Sequence, residues 1–486
     1  MSCAGHANRP SPFELPADAA RALLVEAAAT LTERIYNPAT MTVATLDRGM
    51  IEAMLPAAPP RQGGGATRLR AILFDEFLPL VRDYRHPLHL GHQRPGPSFA
   101  SLYADLAAAT FNPTVTMFEG GPYSVAVEGR VLSWMKQLAG FPENAVATLV
   151  NGGAEANLTA LLVARDHALS KGHGLENLRL LVGEHAHYTL ARSRHILGLT
   201  PAALVTLPAC DDLTMDISAL LSQVASITTA GQTVMAIVAN AGSTANGAFD
   251  DLNAIADIAQ DCGAWLHVDA AHGGAALLSQ HLRHNLAGLA RADSTVINPH
   301  KLFFVSAPCS VLLCNRRAEF AASLAIGLEA ASYVIPDPAA RHATEDGDEP
   351  LRWTIACTRF FAAFRLYAAI STYGIDGLAV RIEHACDLAR FLHDHLAGEH
   401  DFETLSVPAF NMVCFRYHPR ETPAHDLDDL NRHLRAQLAA GPEAYLTGCM
   451  ARGAYWLRAQ IMSEHVDRDS LMALPPLLRA QAASLS

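Results

Sequence analysis

Short apolar runs that each stop at a small or polar residue, with helical stretches between them, constrain what this chain can fold into. Leu178 to Val182 stops before Glu184-His185-Ala186-His187-Tyr188. Val234 to Ala239 stops at Asn240-Ala241-Gly242-Ser243-Thr244, and Trp265 to Val268 stops at Asp269. Ser294-Thr295-Val296-Ile297 is broken by Asn298-Pro299, two residues before Lys301. Runs of that length, rich in β-branched residues, read as buried strands, and helical segments such as Leu252 to Ala259 lie between them. The alternation favours a parallel sheet with helices on both faces. In such sheets the residues just past the C-terminal strand ends converge on one crevice. His187, Thr244, Asp269 and Lys301 all have that placement.

A lysine at one strand end and an aspartate at another suit pyridoxal phosphate (PLP). The amine forms an imine with the cofactor aldehyde, and the carboxylate keeps the pyridine nitrogen protonated so that the ring accepts electrons. The small residues of Ala270-Ala271-His272-Gly273-Gly274 are expected to let the flat ring lie close to the backbone. Upstream, Thr148-Leu149-Val150 meets Asn151-Gly152-Gly153-Ala154, then a helix with Leu158, Leu161, Leu162 and Leu169 on one face. A glycine turn at a helix start offers backbone N–H groups to a phosphate. His185, His187, His267 and His272 lack an acidic or cysteine cluster at a zinc spacing, so no metal site is expected.

Composition excludes several classes. The net charge of -12, with no basic stripe, argues against nucleic-acid binding. No uncharged apolar run is long enough to span a membrane, and Met1-Ser2-Cys3-Ala4-Gly5-His6 does not begin a signal peptide. The nine cysteines are scattered without a C-x-x-C pair, as in a cytoplasmic protein with reduced thiols. Residues 1–85 read as a helical N-terminal segment, 86–375 as the large domain and 376–486 as a small α+β domain. Phe410 to Arg416 and Tyr455 to Ile461 are expected strands of that last part, and Arg359 to Tyr373 a helix. The turn-rich stretch from about 320 to 350 reads as a lid-like loop.

Taken in order, Asn151-Gly152-Gly153-Ala154-Glu155-Ala156-Asn157-Leu158, Gly242-Ser243-Thr244, His267-Val268-Asp269-Ala270-Ala271 and Asn298-Pro299-His300-Lys301 resemble the PLP-dependent group II amino-acid decarboxylases. These are the relatives of glutamate, aromatic amino-acid and L-2,4-diaminobutyrate decarboxylases. The resemblance runs from about His86 to the C-terminus. It implies an α/β, fold-type I (aminotransferase-like) large domain with a mostly parallel sheet, and a homodimer. It implies that Lys301 holds PLP, Asp269 pairs with the ring nitrogen, His187 stacks on the ring and Ala271 packs on the opposite face. Gly153, Ala154 and His300 would face the phosphate, Thr244 the ring's polar edge, and Asn298 would support the site. Arg458, in Trp456-Leu457-Arg458, matches the arginine that holds the substrate's α-carboxylate.

Two departures from the family pattern stand out. Ala154 replaces a frequent serine or threonine. Pro350 falls where aromatic-type members carry a loop tyrosine that returns a proton to Cα, and Tyr333 is the only tyrosine in the loop region. The absence of that tyrosine raises aldehyde synthesis, another PLP lyase reaction or transamination as alternatives to decarboxylation. Leu90-Gly91-His92-Gln93-Arg94 is polar where aromatic-type relatives are bulky. A small polar substrate, diamino or acidic, is therefore expected, with His92 and Arg94 at its side chain.

Overall fold

The computed structural model describes residues 14–38, 48–324 and 349–484, apart from 421 and 424. Two sheets organise them. The larger joins β1 (Val146–Val150), β2 (Leu178–Gly183), β3 (Leu204–Leu207), β4 (Thr233–Asn240), β5 (Trp265–Asp269), β6 (Ser294–Ile297) and β7 (Ser310–Cys314) in the order β1-β7-β6-β5-β4-β2-β3. The run from β6 to β3 is parallel, as the strand–helix alternation requires, and β7 is antiparallel to both its neighbours. The smaller sheet is antiparallel, with β8 (Phe402–Thr404), β9 (Met412–Tyr417), β10 (Thr447–Ala451) and β11 (Ala454–Gln460) in the order β10-β11-β9-β8.

Local chemistry sets the element ends. Asp251 caps the helix Leu252–Cys262 by accepting from the Asn253 and Ala254 N–H groups at 3.1 Å, a cap of about 1 kcal/mol. Leu252, Ile255, Ala256 and Ala259 form its buried stripe, and Gly263 ends it at φ 69°. The expected leucine face of the helix Gly153–Ser170 is corrected. Leu161 is buried, but Leu158 and Leu162 are half-buried and Leu169 is exposed. The inward side is Ala156, Ala160 and Ala164, whose four-residue spacing and small size bring the helix axis close to the sheet.

The helix expected over Arg359–Tyr373 starts at Ala362 and continues to Ala397, broken at Gly374 (φ 69°, ψ 168°). Its Ala363, Leu366 and Ile382 enter the core of the large sheet, and its Leu388, Leu392 and Leu396 that of the small one. The helix therefore couples the two sheets. Ala17–Tyr36, Arg48–Met54 and Gly65–Ala71 are helical, as expected of the N-terminal segment. Tyr333 and most of the lid-like stretch lie outside the described residues. Among the described residues no helix is long and apolar enough to cross a membrane, and eight cysteines are free thiols.

Candidate active site

Strand register assembles the site. Asn240 lies beside Asp269, and Asp269 beside Val296, at the same end of β4, β5 and β6. Lys301 follows β6 on a turn closed by its own N–H donating to Asn298 O at 2.9 Å. Asn298 N–H donates to Ala271 O at 3.2 Å, and Asn298 Oδ1 accepts from Ser310 Oγ at 2.7 Å. The turns after β5 and β6 are thus tied to each other and to β7.

Asp269 is held at both oxygens. Ala271 N–H donates to Oδ1 at 3.1 Å and Asn157 Nδ2 to Oδ2 at 3.0 Å. Behind Asn157 runs a buried polar chain. Asn157 Oδ1 lies 2.9 Å from His267 Nε2, and His267 Nδ1 lies 2.8 Å from Ser294 Oγ. Ser294 Oγ also accepts from Trp265 Nε1 at 2.8 Å. A carboxylate oxygen only accepts, so the Asn157 amide N–H points to Asp269, its Oδ1 accepts from His267 Nε2, and Nδ1 of the neutral ring accepts from the serine hydroxyl. His267 is then the Nε2–H tautomer. Burial pushes the His267 pKa down to about 4, so the ring stays neutral.

Lys301 Nζ donates to Gln93 Oε1 at 2.7 Å. Burial pushes its ammonium pKa down to about 8, opposed by the Asp269 carboxylate, which favours the charged form. His187 responds to the same two groups. Burial lowers its pKa, Asp269 acts against that and Lys301 with it. Its Nδ1 is anchored 2.7 Å from Thr189 Oγ1. Asp269, Lys301 and His187 therefore share one electrostatic environment.

The floor of the crevice is tight. A Cβ on Gly153 would come within 3.0 Å of Asn298 Nδ2 and 3.5 Å of Ala271 Cβ. The helix Gly153–Ser170 begins there, with first-turn N–H groups that have no intrahelical acceptor, and Ala154 is exposed. Of the small residues after Asp269, only Ala271 borders open space; Ala270, Gly273 and Gly274 are buried. The glycine pair has a different task. A Cβ on Gly273 would meet Ala241 O at 2.4 Å, and one on Gly274 would meet Ile297 Cγ1 at 2.8 Å. The pair lets this turn pack against the ends of β4 and β6.

The other wall comes from far away in sequence. Leu90 N–H donates to Tyr445 O, and Tyr445 N–H to Leu88 O, each at 2.9 Å. Gly91 is needed there, because a Cβ would overlap the Tyr445 ring at 2.2 Å. Arg458, on β11, is buried and donates to Thr244 O at 2.6 Å and Gly91 O at 3.2 Å. Thr244 thus meets Arg458 through its carbonyl. His92 Nε2 lies 2.9 Å from Tyr445 Oη. His300 donates from Nδ1 to Cys309 O at 2.6 Å. Together with Arg94 it lines a cavity of about 590 Å³ that reaches Leu31 and Phe77.

The histidines raised as metal ligands do not gather. His272 is buried between Asn411 Oδ1 at 2.8 Å and Gln460 Nε2 at 3.0 Å. Among the described residues, the one group of three side chains within ligand reach of each other is Glu399, His400 and Asp401, and Arg479 engages both carboxylates. Gln93, Asn157 and Tyr445 were not singled out from sequence. Only Asn157 carried a signal, as an amide on the mostly apolar inner side of its helix.

An amine with a depressed pKa, a carboxylate hydrogen-bonded at both oxygens and a helix N-terminus beside them form a donor set that fits PLP. With the sheet order above, they define a fold-type I PLP enzyme. Residues 73–418 match the family model described as the pyridoxal-dependent decarboxylase conserved domain, and the chain belongs to that family. It is a PLP-dependent amino-acid decarboxylase. It is 31% identical over 374 residues to an L-2,4-diaminobutyrate decarboxylase of Rhizobium meliloti, covering 76% of this chain and 72% of that one. It is 26% identical over 446 residues to an aromatic-L-amino-acid decarboxylase of Bacillus atrophaeus, covering 91% of each. A crystal structure of Oryza sativa TDC with PLP and tryptamine shares the fold, at TM-score 0.89 and 24% identity, over 98% of this chain and 100% of that one.

Proposed function

We propose that this enzyme releases CO2 from a small polar L-amino acid, diamino or acidic, and leaves the corresponding amine. The observation that carries it is the polar loop Leu90 to Arg94 against the site. Gln93 touches Lys301, and His92 meets Tyr445. PLP bound to Lys301 supplies an electron-accepting ring for the bond that breaks.

The chain's own residues do the rest. Asp269, oriented by Asn157 and Ala271, would pair with the ring nitrogen. His187 and Ala271 would pack against the ring. Gly153, Ala154 and His300 would hold the phosphate, with backbone N–H groups serving where Ala154 has no hydroxyl. Thr244 would contact the ring's polar edge, and Asn298 braces the turn. Arg458 would grip the α-carboxylate and so select the bond to Cα that breaks. His92 and Arg94 face the substrate side chain. His187 is our candidate to return a proton to Cα. The working unit is a homodimer.

A decarboxylation screen over the common amino acids and 2,4-diaminobutyrate tests this, with CO2, amine, aldehyde and peroxide measured together. Stoichiometric CO2 and amine from a polar substrate are expected. Aldehyde with peroxide, or a marked preference for tryptophan or tyrosine, overturns the proposal.

A further inference from the structure

The wall made by Tyr445 and the Leu90–Arg94 loop carries charge that the chain does not balance. Four arginines are buried among the described residues: Arg85, Arg359, Arg365 and Arg458. The first three pair with Glu464, Glu128 and Asp105 respectively. Arg458 has only carbonyl acceptors among the described residues, and its Nε is buried without a partner. Burying a guanidinium without a counter-charge is costly, and a bound acid removes that cost. The α-carboxylate answers Arg458, and every amino acid brings one.

Arg82 adds a second cation at the same spot, and Arg94 and Arg435 act on it electrostatically. Arg82 lies over the Tyr445 ring at 4.3 Å, with its Nη1 buried and unpartnered. Arg94 is two residues beyond His92. Arg435, with Arg458, Arg82 and Arg94, acts on the His92 ring and disfavours its charged form, adding to the effect of burial. None of these three makes an ion pair among the described residues. If His92 donates from Nε2 to Tyr445 Oη, the phenol O–H is left to donate to a ligand oxygen. A second ammonium on the substrate would enter this field against repulsion, and a second acid would be drawn in.

Resting on the decarboxylase reading above, we infer that the substrate is an L-amino acid whose side chain ends in an acid group. Tyr445 Oη, backed by His92 and beside Arg82, binds that acid in a field to which Arg94 and Arg435 add, while Arg458 takes the α-carboxylate. The Cα–carboxylate bond breaks, CO2 leaves, and a proton from solvent by way of the enzyme takes its place on Cα. The product keeps the distal acid as an ω-amino acid.

The test uses the PLP-loaded enzyme with L-aspartate, L-glutamate and L-cysteine sulfinate against L-2,4-diaminobutyrate, L-ornithine and L-tryptophan. One acid is expected to exceed the other three by at least about tenfold in kcat/KM, and the acid arms distinguish carboxylate from sulfinate. Tyr445→Phe and Arg94→Gln are expected to raise KM for that acid about tenfold, with kcat changed less than about threefold. Succinate or glutarate, which lack the amine, should bind by calorimetry and weaken in both variants with visible cofactor absorbance unchanged. Preference for diaminobutyrate or tryptophan, or an unaltered KM in both variants, overturns the inference and leaves the decarboxylase reading standing. A preparation that binds PLP but releases no CO2 from any arm overturns the decarboxylase reading. Dicarboxylate binding then decides the acid site by itself.

Discussion

The two walls of the crevice are built on opposite terms. On the sheet side Trp265, Ser294, His267, Asn157 and Asp269 form one unbroken line of hydrogen bonds. On the loop side Arg82 and Arg458 keep buried nitrogens with no acceptor, and Gln93 Nε2 is likewise unpartnered. A satisfied network is rigid and holds one geometry, which suits a ring that must be held the same way in every turnover. Unpaired donors are a cost to the folded chain that a ligand removes. On the reading proposed above, the saturated wall serves the ring and the unsaturated one meets the substrate, Arg458 at the α-carboxylate that every amino acid shares and Arg82 on the side-chain side.

Four changes would break or sharpen that contrast. Lys301→Ala should cause the largest loss, about a thousandfold or more in kcat, with disappearance of the visible absorbance of bound PLP. Retention of both would remove the basis for the site. Asp269→Asn should follow at about a hundredfold or more in kcat with the protein still folded, because it removes charge while keeping shape. An effect confined to KM would count against a role on the ring. Arg458→Lys, on the other wall, should lower kcat/KM by about ten- to a hundredfold with both kcat and KM affected, since an ammonium cannot reproduce the planar fork that binds and orients the α-carboxylate. Asn157→Ala should be smallest in rate, about tenfold in kcat, with stability lowered by about 1–3 kcal/mol as His267 and Asp269 each lose a partner. Calorimetric unfolding beside steady-state kinetics separates the two effects.

A pH series tests the Lys301 environment directly. Its pKa of about 8 lies below the usual value for lysine, and the neutral amine is the form that attacks an aldehyde. Uptake of PLP by the apoenzyme should therefore quicken about tenfold per pH unit up to about pH 8 and then level off. A rate still climbing past pH 9 would mean that burial does not depress this amine.

How far the site could be read beforehand depended on where its parts came from. Asp269, Thr244, His187 and Lys301 each stand just past an apolar strand, and a parallel sheet brings such positions to one edge. Of the small residues after Asp269 only Ala271 borders the crevice, while Gly273 and Gly274 lack side chains to allow contact with Ala241 and Ile297. The face of the helix Gly153–Ser170 was misjudged because leucines mark burial in general, whereas close approach to a sheet selects alanine.

Tyr445 carried no signal in the chain. It matters because Leu88 and Leu90 pair with its backbone, a contact between segments more than 350 residues apart. Gln93 reaches Lys301 across more than 200 residues, and no local pattern encodes such a meeting. Strand ends and their punctuation are local properties, so the sequence alone determined the sheet, the crevice edge and the lysine–aspartate pair. Which donors stay unsatisfied depends on what packing brings within 3 Å of each, and only the tertiary structure decided that.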